Sequence, residues 1–482
     1  MTDSTHRAAA SEPTLSVVPD PEERTNPFDQ DPGEPDQVPG LDLEAFWTST
    51  PQLEHVREFA RARRAGPLAT LGVVLARCCV ALEPHYALPP IVGGRVSTNL
   101  FVALVGPSGG GKGAAEGAAR DAVRLEYGGS KDGLGEVEIE TFPTGSGEGL
   151  ARTYRSAKLE PDEPNDRSRA LFSVPEVDKM TALTGRSGST LLSEIRSLWM
   201  GERIGFNNAH ASTKSVVAPH SYRAAMTVGV QPAKAGPLIN DSDGGTTQRF
   251  VWLPTDDPGA PDAKPETPEP ITVRIDPGWG LGKASAPKEG QTLNWAAAAA
   301  KAGRAEAVNL SVPTVAVEEI ELHRLRTLRG DPDVNPLDGH AKLCQLKVAA
   351  ALMVLHGRME ITEQDWDNAG TLMRVSNYTR SEVERVLLEQ ARRVNRARAH
   401  ADSERASILE DVRAEKEIRR VREGVQRYLL KKGHGSTREL TKSLKSELRP
   451  HLELVLDEMV TEGFLTRTMD GQRSLYALAA AA

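Results

Sequence analysis

The chain has 482 residues, of which 39% are hydrophobic, 26% charged and 5% aromatic. Such a length predicts about two to four folding units, with enough apolar surface for a core that needs no disulfide or structural metal. Three cysteines (Cys78, Cys79, Cys344) exclude a disulfide framework, and no Cys/His set has zinc spacing. No apolar run is long enough to span a bilayer, and the N-terminus lacks an apolar leader, so a cytoplasmic protein without a membrane partner is expected.

The net charge of −8 is unevenly spread, because residues 1–44 carry eleven acidic and two basic side chains, a net of −9. The rest of the chain is close to neutral, so bulk acidity does not weigh against a nucleic-acid partner. Residues 1–40 are rich in Pro, Asp, Glu and Gly and are expected to form a disordered acidic tail. Residues 41–95 read as helical, and PLATLGVVLARCCVALE reads as a buried helix that carries Cys78 and Cys79 as small hydrophobes.

Residues 96–254 read as an α/β core. The apolar run Leu100 to Val105 predicts a strand, a Gly-rich turn follows, and an Ala-rich helix is expected to about Tyr127. Further strands are expected at Ala170–Val174, Ala224–Val230 and Phe250–Leu253. Residues 254–287 carry eight prolines, so 255–312 is expected to be a linker or irregular insertion, with a short helix at Ala296–Ala300. Residues 313–411 read as helical, with Gly357 stopping one helix and Thr362/Asp365 starting the next. In 412–482, helices at Glu415–Lys432, Thr437–Lys445 and Arg449–Glu462 precede two strand-like pieces, the order of a winged helix.

The segment Gly106-Pro107-Ser108-Gly109-Gly110-Gly111-Lys112-Gly113 fits GxxxxGK[ST] at every place but the last. A strand enters it and a helix leaves, the context in which backbone N–H groups wrap a polyphosphate and the lysine reaches the outer phosphates. ATP with Mg²⁺ is the expected cofactor. Gly113 lacks the hydroxyl that usually ligates the metal, which bears more on turnover than on nucleotide binding. An acid at a neighbouring strand end is needed to hold magnesium through water and to position the attacking water. Glu176, directly after Pro175, is the first candidate and Asp178 the second. Gln231 follows the third strand and reads either as a γ-phosphate contact or as a turn residue before Pro232. Arg249 reads as a phosphoryl-stabilising guanidinium or as a surface arginine paired with an acid. Lys347, on an apolar helix, reads as a residue reaching the nucleotide or as one snorkelling to solvent.

Taken in order, these stretches resemble AAA+-type P-loop ATPases of phages, plasmids and integrated elements, the replicative-helicase-like family. The likeness is carried by NLFVALVGPSGGGKGAAEGAA, PTGSGEGL, LFSVPEVDKM, YRAAMTVGVQP, GGTTQRFVWLP and the helical HAKLCQLKVAAALMVLHGRMEITEQDWDNAGTLM, which looks like a lid. It implies a homo-oligomeric ring, hexameric, with nucleotide between neighbours. It also implies Lys112 as the Walker-A lysine, Glu176 as the Walker-B acid, Gln231 at sensor 1, Arg249 as the arginine finger and Lys347 at sensor 2. The sequence departs from the family in Gly113 and in Pro-Glu-Val-Asp where adjacent Asp-Glu is usual.

DNA is the expected partner. Residues 413–479 hold fourteen basic and ten acidic groups, and Lys431 and Lys432 close the first helix of the winged-helix segment. The helix expected to read bases carries Glu453, Asp457, Glu458 and Glu462, so a protein-contact role stays open beside DNA binding. Lys214 falls at the tip of a possible hairpin, as a phosphate contact or as a solvated lysine. The expected function is an ATP-driven, ring-forming motor on DNA (a helicase or replication-initiation ATPase). The alternative is a nucleotide-switched DNA-binding protein with little turnover.

Overall fold

The computed structural model describes residues 41–127, 135–156, 165–184, 189–207, 215–241, 244–275, 307–334 and 339–479. The acidic tail, the alanine run at 296–300 and Lys214 lie outside the described residues. The chain divides into two compact units, Met1–Leu387 and Leu388–Ala482. Among the described residues no helix is long and apolar enough to cross a membrane.

Three helices open the first unit: α1 (Leu43–Thr48), α2 (Pro51–Ala62) and α3 (Pro67–Ala81). Asp42 and Thr50 cap the first two by accepting from the N–H groups of Ala45 and Leu53, and prolines start α2 and α3. α3 is apolar on every side and is buried almost throughout.

The following elements are β1 (Tyr86–Ala87), β2 (Leu100–Val105), α4 (Lys112–Ala122), β3 (Val123–Tyr127), β4 (Thr141–Pro143), α5 (Gly147–Tyr154) and β5 (Arg169–Val174). After them come α6 (Val177–Thr184), α7 (Leu191–Met200), β6 (Arg223–Val230), α8 (Gly236–Ile239), β7 (Phe250–Pro254), β8 (Ile271–Ile275) and β9 (Val308–Asn309). Five strands form one parallel sheet in the order β4-β5-β6-β2-β7. Its central strands, LFVALV and RAAMTVGV, are buried at every position, as a sheet covered on both faces requires. α3 and α4 cover one face, with Gly72 of α3 against Val102 and Leu253. α5 lies on the other, where the Tyr154 ring meets Phe172 edge-on at 6.2 Å.

Two expectations are corrected in this unit. The helix after the loop ends at Ala122, and Val-Arg-Leu-Glu-Tyr continues as β3 because its alternating apolar side chains suit a half-buried strand. Its parallel partner is β8, which lies inside the proline-rich stretch expected to be unpacked. Prolines fill 254–270, but Ile-Thr-Val-Arg-Ile then repeats the same alternation. The short edge strand β4, not anticipated, completes the sheet.

The first unit continues through α9 (Thr314–Leu328) and α10 (Ala341–Leu355) into α11 (Glu363–Lys432). Gly357 adopts φ +66° just past α10, and Asp365 accepts from Thr362 N and Oγ1 at the start of α11, as the sequence led us to expect. The break expected near 411 is absent. α11 runs for 70 residues into the second unit, with neither Gly nor Pro between 371 and 423 to stop it.

In the second unit the end of α11 is followed by β10 (His434–Ser436), α12 (Thr437–Ser443), α13 (Leu452–Thr461), β11 (Leu465–Asp470) and β12 (Arg473–Leu478). The strands pair antiparallel in the order β10-β12-β11, where β10 replaces an expected break. Val421, Val425, Leu429, Leu440, Val455 and Leu456 are among the side chains of its own apolar core.

Candidate nucleotide site

The loop from Gly106 to Gly113 leaves the carboxyl end of β2 and enters α4. Gly109 and Gly111 adopt φ +76° and +82°, backbone that side chains disfavour, and a Cβ at Gly106 would run into Thr255 Oγ1. Gly111 offers no side-chain cap, so the first N–H groups of α4, those of Lys112, Gly113 and Ala114, remain orphan donors with the positive helix end behind them. Lys112 Nζ donates to Gly106 O at 3.0 Å and to Pro107 O at 2.7 Å. Partial burial lowers its pKa from the ordinary lysine value, and the charge of Glu176 opposes that shift.

The neighbouring strand ends bring further groups to this edge. Glu176 is exposed directly after β5 and Pro175. Asp178 is engaged, accepting from Lys234 Nζ at 2.6 Å. Gln231 follows β6 beside the loop, where Gly106 N donates to Val230 O at 3.0 Å. Lys112, Glu176, Asp178 and Gln231 therefore converge, joined by Thr255 and Lys234, which sequence reasoning did not single out. Orphan donors, a lysine and the exposed Glu176 carboxylate are a donor set suited to a magnesium-bound triphosphate, and they sit at the sheet edge where parallel α/β sheets take ligands.

Two further candidates lie away from the loop of their own chain. Arg249 ends a 3-10 turn just before β7, at the opposite end of the sheet, about 20 Å from the start of the loop by strand rise. It is not a surface arginine paired with an acid. It is 8% exposed, donates to Gly244 O and Gly245 O at 3.2 and 2.6 Å, and lies over the Trp199 ring at 5.5 Å. Lys347 neither reaches the loop nor snorkels to solvent. Fully buried, it donates to Asn99 O at 3.1 Å and Trp199 O at 2.5 Å, with Nζ 3.7 Å from the Trp199 ring centroid. Burial drives its pKa well below the lysine value.

Arg196, Arg249 and His340 line a cavity of about 430 Å³ at this far end. Burial, with Arg249 and Lys347 nearby, pushes the His340 imidazole down to about 4. The unfolded chain takes up this proton near pH 6.5 while the folded one resists it, so His340 withdraws stability as pH falls from about 6.5 towards 4. Thermal melts across that range are expected to show a falling midpoint, and His340→Gln to flatten part of the slope; equal slopes would remove His340 as a contributor.

The residues expected to touch nucleic acid are dispersed. Lys214 lies outside the described residues, although its flanks pair antiparallel through the Ile204–Val217 bridge. Lys431 and Lys432 are exposed at the end of α11 in the second unit. Glu458 of α13 and Glu462 just past its end are tied to Arg422 at 3.6 and 2.8 Å. One carboxylate near the loop escaped notice altogether. Glu116 of α4 accepts from Ser173 Oγ at 3.3 Å and Thr227 Oγ1 at 3.1 Å. No protein-family model matches the chain, and no curated protein matches it either.

Proposed function

We propose that the chain is an ATP-binding P-loop ATPase of AAA+-like architecture, which assembles into a homo-oligomeric ring and acts on DNA. One observation carries this reading: orphan amides of α4 and Lys112 converge with Glu176 and Gln231 at the carboxyl edge of a parallel sheet. In this reading Gly106–Gly113 wrap the triphosphate, and Lys112 leaves the carbonyls of Gly106 and Pro107 for the outer phosphates. Glu176 holds magnesium through water and orients the attacking water, with Gln231 beside it. Magnesium, when bound, neutralises charge on the phosphates.

In the ring, nucleotide sits between subunits; Arg249, too far from its own loop and 8% exposed, meets a neighbour's phosphate only by leaving Gly244 O and Gly245 O. The helices α9 to α11 serve as the lid. The second unit serves as a winged helix, with Lys431 and Lys432 against DNA phosphates. Gly113 favours one other reading, a nucleotide-switched DNA-binding protein with little turnover.

ATP hydrolysis by the full chain with and without DNA, together with its native mass, decides between them. We expect a DNA-stimulated rate and an oligomer that forms with ATP. Tight ATP binding without turnover would support the switch, and a strict monomer would remove the trans role of Arg249.

A further inference from the structure

Resting on the reading of this loop as a magnesium-nucleotide site, we propose that Glu116 is a magnesium-holding carboxylate. It acts through the metal's water shell and replaces the hydroxyl that Gly113 lacks. The placement follows from α4 and the sheet running in step. On β5, Ser173 and Pro175 share one face of the sheet, and on β6 so do Thr227 and Gly229. The Lys112 stem passes over the upper rung, its Cδ 3.2 Å from where a Cβ on Gly229 would stand. Glu116 meets the lower rung through Ser173 and Thr227. Four helical residues rise about 6 Å, and two strand residues span about 6.6 Å, so one turn of α4 matches one rung of the sheet.

Helical side chains lean towards the N-terminus, which tips the Glu116 carboxylate back towards the turn of Lys112 and Gly113. The turn is open on the side where residue 113 would carry a side chain, since a Cβ at Gly113 would meet no atom within 4 Å. The two hydroxyls occupy Oε1 alone and fix its direction, leaving the remaining lone pairs of the carboxylate for a hydrated cation. Magnesium prefers this arrangement, since it keeps several waters and takes only one or two carboxylates. Ser173 sits three residues before Glu176, so Glu116 and the strand-end acid would hold the metal from two sides. Asp178 is committed to Lys234 and adds less.

Glu116→Gln tests this cleanly, because the amide oxygen still accepts both hydroxyl bonds while the charge is lost. A non-hydrolysable ATP analogue would be titrated calorimetrically into the full chain, first in EDTA and then at stepped free Mg²⁺. Binding in EDTA should change less than about twofold. The Mg²⁺ needed for half of the metal-dependent gain in affinity should rise about 10- to 100-fold, the usual effect of losing a group that orders a metal's shell. Gly113→Ser in the Glu116→Gln background should restore most of that loss by returning a hydroxyl. A Mg²⁺ requirement unchanged within twofold, in a variant that melts like the parent, overturns the role of Glu116 and leaves the nucleotide site standing. A parent chain that binds no analogue with or without Mg²⁺ overturns the site and the inference together.

Discussion

Lys112→Ala is expected to weaken ATP binding by about 100- to 1,000-fold and to abolish any DNA-stimulated hydrolysis. The loop holds one lysine, which donates to Gly106 O and Pro107 O. A triphosphate offers the same ammonium a better partner, and charge-assisted bonds to phosphate contribute about 1.5–3 kcal/mol each. Losing two of them amounts to about 3–6 kcal/mol, and the two carbonyl bonds that Lys112 gives up on binding reduce this to about 3–4 kcal/mol, or two to three decades in affinity. The fold should be indifferent, since Lys112 touches only carbonyls at an open edge. A melting midpoint close to the parent's, alongside lost calorimetric heat, is therefore the expected pair of results. Binding retained within tenfold would mean that the glycine backbone alone does the holding. Because partial burial lowers the Lys112 pKa, affinity should also begin to fall below the ordinary lysine range as pH rises, for only the protonated form pairs with phosphate.

The parts of this molecule that were legible in its sequence are those whose causes are local. A strand, a glycine-rich segment and the start of an Ala-rich run within fifteen residues announce a strand-loop-helix turn, and unbroken apolar runs announce strands buried on both faces. The caps at Thr362 and Gly357 were readable for the same reason. What stayed hidden depends on partners far away in the chain. Lys347 gives no local sign of its fate, since the carbonyls it serves lie 248 and 148 residues away. Glu116 resembles any solvated helix residue until Ser173 and Thr227, 57 and 111 residues distant, are brought beneath it. β8 was hidden by the prolines before it, because its partner β3 lies far upstream and looked like the end of a helix. The continuous α11 shows the converse: a domain boundary was expected where composition changed, although nothing in 371–423 can break a helix.

Arg223→Met should be the most damaging substitution away from the loop, costing about 4 kcal/mol or more. The last carbonyls of α3 have no partner within the helix. Two buried arginines cover them. Arg169 donates to Val80 O and Ala81 O at 3.3 and 3.0 Å and pairs with Glu83. Arg223, fully buried, donates to Leu82 O at 3.1 Å, Ser97 Oγ at 2.6 Å, Glu83 O at 2.7 Å and Tyr86 O at 2.6 Å. Burial lowers the Arg223 pKa to about 10, so the guanidinium is still charged at neutral pH and faces the negative end of α3. Methionine fills much of the volume but leaves three buried carbonyls and a hydroxyl without donors, at about 1–3 kcal/mol for each such group. A loss of about 4 kcal/mol corresponds to a fall of about 5 °C in the melting midpoint for a unit of this size. Arg223→Lys should recover less than half, because an ammonium has three donors and no fork to reach both sides of the chain. The effect bears on function through β6, which begins at Arg223 and carries Gly229 under Lys112 and Gln231 at its other end. A strand released at its start can shift its far end, so a folded remnant of Arg223→Met should also bind ATP more weakly than its stability alone explains. Melting within about 1 kcal/mol of the parent would show that α3 ends on water rather than on arginine.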